Sequence, residues 1–320
     1  MALNAKIALV LDMVARAGRV PYHEQTPQAA RAEYEKSASV LEIPAAPMHA
    51  VEDLQVPMRD GATIRARLYL PVEPNWAEPL PVLVYYHGGG FTIGSVDTHD
   101  ALCRMFARDA HCAVFSVDYR LAPEHRFPTA VHDAFDAYAW LHAHAASYAL
   151  DASRVAVGGD SAGGTLATVC AVLARDAGIA PVLQLLIYPS VSALQQTDSH
   201  KRLAEGYLLT ALTIQWFFEH YASDASDRHD WRFAPLDGTR DAPNFRGVAP
   251  AWIAVAQFDP LVDEGEAYAQ KLREAGNEVT LVHYEGVVHE FIKMGAFVDE
   301  ARLAHRQAVE ALRAAFGTVD

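Results

Sequence analysis

The stretch that most constrains this chain is Gly159-Asp160-Ser161-Ala162-Gly163. The run before it, Ser153 to Gly158, reads as a short buried strand, and the small apolar run after it, Gly164 to Leu173, reads as a helix. A serine in so sharp a strand-to-helix turn is pushed into an unfavourable backbone conformation. Gly159 and Gly163 relieve the crowding because they carry no Cβ. The hydroxyl is left exposed at the end of a sheet, beside a helix N-terminus, which makes Ser161 a candidate nucleophile. Glycine and serine are common, so the five residues alone are a weak signal. The strand and helix on either side give them their weight.

Buried strands and helices alternate along most of the chain. Thr63 to Leu70 alternates apolar and polar residues, as a half-exposed strand does. Val82 to Tyr86 is continuously apolar, the pattern of a strand buried on both faces. Strands follow at Ala113 to Val117, Leu183 to Tyr188, Trp252 to Ala256 and Val279 to Tyr284, with helices at Thr129 to Ala146, Glu264 to Ala275 and Asp299 to Phe316. Such alternation predicts an α/β fold with a mostly parallel sheet covered by helices on both faces. Two helices precede it, at Ile7 to Ala17 and Pro27 to Ser37, and the prolines and alanines at 44–47 read as a linker. From Ser192 to about Arg232 there is no strand-like run, and Leu208 to Tyr221 is helical and aromatic. This segment is expected to fold over the ligand end of the sheet and join the first helices in a cap. The expected organisation is therefore cap helices at 1–48, a first part of the α/β domain at 49–191, a cap insertion at 192–232 and a second part at 233–320.

A net charge of −14 argues against a nucleic-acid or anionic-membrane partner. Asp12 interrupts the apolar run Ile7 to Leu11, which leaves no signal peptide, and no uncharged run is long enough to span a bilayer. Cys103, Cys112 and Cys170 are too few and too odd in number for a disulfide framework, and none sits in a Cys-x-x-Cys pair. A cytoplasmic protein without a metal site is the expectation.

A serine nucleophile needs a base, an acid to orient that base, and donors for an oxyanion. Asp259 and His289 both fall just past the ends of apolar strands, downstream of Ser161 and in that order. In a parallel sheet those ends share a side, so the three side chains can converge. Asp263 competes with Asp259 for the acid role but reads better as a helix cap. Other histidines compete with His289. His142 and His144 lie two apart on a helix and point apart, His283 sits on a strand, and His125, His200, His220 and His229 lie in loop or cap contexts. Upstream, His87-Gly88-Gly89-Gly90-Phe91 directly follows a buried strand. Its glycines let backbone N–H groups turn towards Ser161, where they can act with the amide of Ala162. Neither a phosphate-binding loop nor a dinucleotide fingerprint fits the spacing.

Taken together, these motifs closely resemble the bacterial hormone-sensitive-lipase family of carboxylesterases, which have the α/β-hydrolase fold with a helical cap. The carriers are His87 to Gly90, Asp118-Tyr119-Arg120-Leu121-Ala122-Pro123-Glu124, Gly158 to Gly164, Asp259-Pro260-Leu261 with Asp263-Glu264-Gly265, and His289 with Phe291. The resemblance spans roughly residues 50 to 295 and is specific in its joint order. It implies a triad of Ser161, Asp259 and His289, and an oxyanion hole from the amides of Gly89, Gly90 and Ala162. It gives Asp118 to Glu124 a structural role bracing the loops and has Asp160 helping to hold the turn. A substrate pocket drawing on Phe91, Tyr188, Trp216, Phe217 and Val288 goes with it. No cofactor is implied, and the partner is a small-molecule ester with short to medium chains. The chain departs from the family pattern at Val262, usually arginine, at Glu290, usually glycine, and at Gln257, often glycine. An amidase or acyltransferase could use the same triad. A non-catalytic receptor of the same fold would be expected to lack a triad member. The last strand, near a sheet edge, could pair across a two-fold axis in a homodimer.

Overall fold

The computed structural model describes residues 2–318. Its centre is an eight-stranded sheet of β1 (Ala50–Pro57), β2 (Thr63–Leu70), β3 (Leu80–Tyr86), β4 (Ala113–Val117), β5 (Leu150–Asp160), β6 (Gln184–Ile187), β7 (Ala251–Phe258) and β8 (Val279–Val288), in the order β1-β2-β4-β3-β5-β6-β7-β8. β1 and β2 pair antiparallel, as do β2 and β4, and every other pairing is parallel. Continuous apolar runs become the central strands: every residue of β3, β4 and β6 is buried.

The pleat sends alternate residues to opposite faces. Val82, Val84 and Tyr86 of β3 enter one core, and Leu83 and Tyr85 enter the other. Helices α4 (Thr129–His144), α5 (Ala162–Asp176) and α8 (Val262–Glu274) cover the first face, and α3 (Asp100–Ala110) and α9 (Asp299–Phe316) cover the second. Two N-terminal helices, α1 (Ala5–Arg16) and α2 (Pro27–Ser37), divide between these cores through Ile7 and through Ala30 and Tyr34. Residues 192–232 contain no strand and hold α6 (Asp198–Arg202) and α7 (Ala211–Tyr221).

β1 precedes Thr63 to Leu70, the first stretch whose own pattern marks a strand. Its residues are mostly exposed and include Glu52, Asp53 and Gln55, so no apolar pattern marks it. It forms because it pairs residue by residue with β2, from Ala50 opposite Leu70 to Pro57 opposite Thr63. Asp53 then lies against Arg67, 2.6 Å from Nε. Beyond Ser153 to Gly158, β5 reaches back to Leu150 and forward to Asp160.

What the topology sets up is one edge. β3 ends at Tyr86, β5 at Asp160, β7 at Phe258 and β8 at Val288. Tyr86 pairs with Gly159, Asp160 with Ile187 and Phe258 with Val288, so these ends lie in register. The residues that follow them, His87 to Gly90, Ser161, Asp259 and His289, leave the sheet on the same side.

Candidate active site

Ser161 occupies the tightest point of the turn, at φ 53° and ψ −119°, as the N-cap of α5. A non-glycine residue held there costs on the order of 1–3 kcal/mol, and it persists only where its surroundings fix it. They do: the Ser161 amide donates to the Ile187 carbonyl at 2.9 Å, and the Ser161 carbonyl accepts from Thr165 and Ser190, both at 3.2 Å. The start of α5 lies hard against β3. A Cβ on Gly163 would sit 1.9 Å from the Tyr86 carbonyl oxygen, so only glycine lets the helix begin this close to the sheet.

The serine hydroxyl reaches Nε2 of His289 at 3.0 Å, and Nδ1 of His289 lies 2.6 Å from Oδ2 of Asp259. A carboxylate only accepts, so Nδ1 carries the hydrogen and Nε2 is left to accept from the serine. Asp259 is fully buried, and its other oxygen accepts from the Leu261 amide at 2.9 Å. Burial on its own lowers the imidazole's proton affinity. The Asp259 carboxylate outweighs it, with Glu290 and Asp160 adding to the effect, and the His289 pKa ends above its ordinary 6.5. Asp263 does not cap α8, whose N-cap is Leu261. Its Oδ2 instead accepts the Ser199 amide of α6 at 2.7 Å, because the first turn of α8 faces that helix. Gln257 ties β7 to β8 just before the acid and the base: its Oε1 accepts the Gly286 amide at 2.8 Å. Val262 is buried at the start of α8.

The glycine loop after β3 turns twice through positive φ, 120° at Gly89 and 57° at Gly90. Among the described residues, the amides of Gly89, Gly90 and Ala162 donate to no protein acceptor. The Gly88 amide does: it donates to Oδ1 of Asp160 at 3.1 Å, which also accepts the Tyr85 hydroxyl at 2.7 Å. Nε2 of His99 lies 3.3 Å from Oδ2 of Asp160. Burial alone would raise the Asp160 pKa, but His99, the Tyr85 hydrogen bond and Lys293 hold it well below the usual carboxylate range. Asp160 therefore ties the glycine loop to the serine turn. His87 stacks on Tyr119 with ring centroids 4.3 Å apart, and burial beside His99 pushes its pKa down to about 4.

The Asp118 to Glu124 segment spreads ion pairs outward from this loop. Asp118 meets Arg65 at 3.0 Å, Arg120 meets buried Asp133 at 2.6 Å, and Glu124 meets Arg31 of α2 at 2.6 Å.

A cavity of about 60 Å³ opens at Ser161 and His289, with Gly89, Gly90 and Ala162 in its wall. Of the pocket residues expected from the sequence, Phe91 and Phe217 line it, whereas Tyr188, Trp216 and Val288 do not. α7 presents Thr213, Ile214, Phe217 and Phe218 to the cavity, and helical spacing turns Trp216 aside, edge-on to Phe217 and against His220. Tyr188 stands behind His289, its ring centroid 4.5 Å from the imidazole. Val288 is spent in the sheet opposite Phe258. The lining also takes in Tyr22, Leu208, Leu209, Ser190 and Glu290. Tyr22 comes from a single 3₁₀ turn, Tyr22–Glu24, with no periodic pattern to mark it; Leu208 and Leu209, expected at the start of the 208–221 helix, precede it instead, because Thr210 caps α7 and the helix begins at Ala211. Glu290, which departs from the family's usual glycine after the histidine, holds the left-handed conformation, φ 66°, that suits a glycine.

A family model described as alpha/beta hydrolase fold matches residues 83–293. Over 320 aligned residues the chain is 42% identical to an ethyl acetate hydrolase of Pseudomonas putida, covering 98% of this chain and 99% of that protein. Against the carboxylic ester hydrolase LipN of Mycobacterium tuberculosis it is 46% identical over 271 residues, 82% of this chain and 70% of that one. Among solved structures, a hyperthermophilic esterase from the archaeon Pyrobaculum calidifontis superposes with a TM-score of 0.90 at 38% identity, covering 98% of this chain and 99% of that chain. An α/β-hydrolase enzyme from the metagenome of Lake Arreo, Spain, reaches a TM-score of 0.92 at 38% identity, with 99% of each chain covered.

Proposed function

The chain belongs to the α/β-hydrolase family, and from that premise we propose that it hydrolyses carboxylic esters through an acyl-enzyme on Ser161. The names of an ethyl acetate hydrolase, a carboxylic ester hydrolase and an esterase among the similar proteins support ester hydrolysis. The observation that carries the residue roles is the relay from Ser161 Oγ to His289 Nε2 at 3.0 Å and from His289 Nδ1 to Asp259 at 2.6 Å.

Ser161 Oγ attacks the ester carbonyl carbon while His289 Nε2 takes its proton. Asp259 fixes the tautomer and offsets the charge of the imidazolium. The carbonyl oxygen becomes an oxyanion held by the amides of Gly89, Gly90 and Ala162. One such donor removes about 3 kcal/mol of barrier. As the C–O bond breaks, His289 returns the proton to the alcohol oxygen. Water then attacks the acyl-serine with His289 again as base, releasing the acid and restoring Ser161.

We read residues 1–48 and 192–232 as a cap. What supports this is that Tyr22 and α7 close the cavity from outside the sheet. A cavity of about 60 Å³ walled by Phe91, Phe217 and Phe218 suits short acyl and alcohol groups. The relative named for ethyl acetate points the same way. Among the described residues no helix is long and apolar enough to cross a membrane, and three buried free cysteines suit a reducing cytoplasm. β8 ends the sheet and is mostly half-exposed or exposed along its first half, so strand pairing in a homodimer is open to it.

The test is Ser161→Ala. It should abolish turnover of p-nitrophenyl acetate and labelling by a fluorophosphonate while the circular dichroism spectrum and melting temperature stay native-like. Undiminished turnover by that variant would sink the assignment of Ser161.

A further inference from the structure

Two acidic residues line the cavity, and they differ in their partners. Asp160 is buried and bound to Tyr85, Gly88 and His99. Glu290 is half-buried, and among the described residues its carboxylate has neither a hydrogen-bond donor nor a paired cation. The cation nearest to it along the chain, Lys293, is turned elsewhere: its Nζ lies 3.3 Å from the Tyr34 hydroxyl and 3.6 Å from Glu42. Tyr22 shares the cavity wall with Glu290. Burial pushes the Tyr22 phenol far above its ordinary range, and the nearby Glu290 and Glu33 carboxylates push the same way against Arg19, so Tyr22 stays neutral. Among the described residues, no lysine or arginine lines the cavity.

An unpaired carboxylate beside an aromatic ring is the chemistry that holds an ammonium group, by charge and by the face of the ring. Its position indicates which part of an ester would be read. Glu290 directly follows His289, the group that hands its proton to the departing alcohol oxygen, so the alcohol is the portion brought against Glu290. Keeping a non-glycine residue at φ 66° in this position has a backbone cost that a glycine would avoid.

We propose that Glu290 and Tyr22 form a subsite for a cationic alcohol portion, so that this enzyme favours acetate-sized esters of amino alcohols over their neutral counterparts. The inference rests on the carboxylesterase reading above. The surrounding field works with it, since a chain of net charge −14 draws cations towards its surface.

The experiment compares kcat/KM on acetylcholine and on its neutral carbon isostere, 3,3-dimethylbutyl acetate, in the wild type, in Glu290→Gln and in Glu290→Gly. Only the ratio of the two substrates within each protein is read, so the amount of folded enzyme cancels. The wild type should favour the cationic ester by about tenfold, and both variants should bring the ratio to within about twofold of unity. A wild-type ratio near unity, or a preference that survives both substitutions, overturns the subsite while leaving the esterase intact. Failure to hydrolyse either ester, together with no fluorophosphonate labelling of Ser161, overturns the esterase reading and the subsite with it.

Discussion

The Asp259 carboxylate lies 2.6 Å from Nδ1 of His289, and this contact outweighs burial in deciding the imidazole's charge. Burial lowers the histidine's proton affinity, yet the net effect is a pKa above 6.5. His289 must be neutral to take the serine proton. Activity should therefore fall as pH drops through that raised pKa, and the acid limb of kcat/KM against pH should have its midpoint above 6.5. Rates on a neutral ester between pH 5 and 9, a range spanning ordinary His titration, would locate it at about half-unit steps. A midpoint below the ordinary histidine value would contradict the dominance of Asp259.

Asp259→Asn keeps the shape of the acid and removes its charge. The amide can donate towards Nδ1, which favours the tautomer that turns a hydrogen towards Ser161 and blocks its role as base. By analogy with other serine hydrolases, kcat should drop by about four orders of magnitude. Stopped-flow or long-time assays on p-nitrophenyl acetate would measure it, with a drop under about tenfold arguing that another residue orients the imidazole.

Phe217 is one wall of the cavity. Its ring lies so close to Gly90 that a Cβ there would meet it at 2.1 Å. Phe217→Ala should cost about 3–5 kcal/mol of stability, as buried Phe truncations do. It should also raise the rate ratio of p-nitrophenyl hexanoate to acetate. Denaturant melts and a chain-length series check both arms. An unchanged ratio would mean that another wall limits chain length.

Gly163→Ala would put a methyl group 1.9 Å from the Tyr86 carbonyl. Alanine is the better helix former, so propensity alone predicts a gain of about 1 kcal/mol. The clash should reverse the sign and cost about 1–3 kcal/mol through overpacking, and it should misplace Ser161 two residues away. Thermal denaturation with parallel activity assays would show a lower melting temperature and reduced kcat. A stabilised variant would show that the close approach of α5 to β3 is not needed.

The parts of the site that read clearly in the sequence share a cause. Ser161 and Asp259 each follow an apolar run that becomes a buried stretch of β5 and β7, His289 follows the two buried valines that end the edge strand β8, and the parallel arrangement makes these strand ends meet. The structure brings these side chains within hydrogen-bond reach of one another. β1 was not legible because its stability comes from its partner strand rather than from its own pattern. Three of the five expected pocket residues missed the cavity for a related reason. Trp216 and Phe217 are adjacent and equally aromatic, and only the rotation of α7 over the sheet decides that Phe217 faces Ser161.

Local chemistry, then, is what the sequence determined by itself: a strained serine between glycines, a glycine loop free to turn its amides, and an acid and a base in order after their strands. These depend on conformations and apolar runs a few residues long. The tertiary structure alone decided which surfaces meet. It bound Asp160 to Tyr85, Gly88 and His99, committed Lys293 to Glu42 and Tyr34, and left Glu290 lining the cavity with Tyr22. Such contacts join residues up to hundreds of positions apart, and the chain can specify them only through the packing of the whole fold.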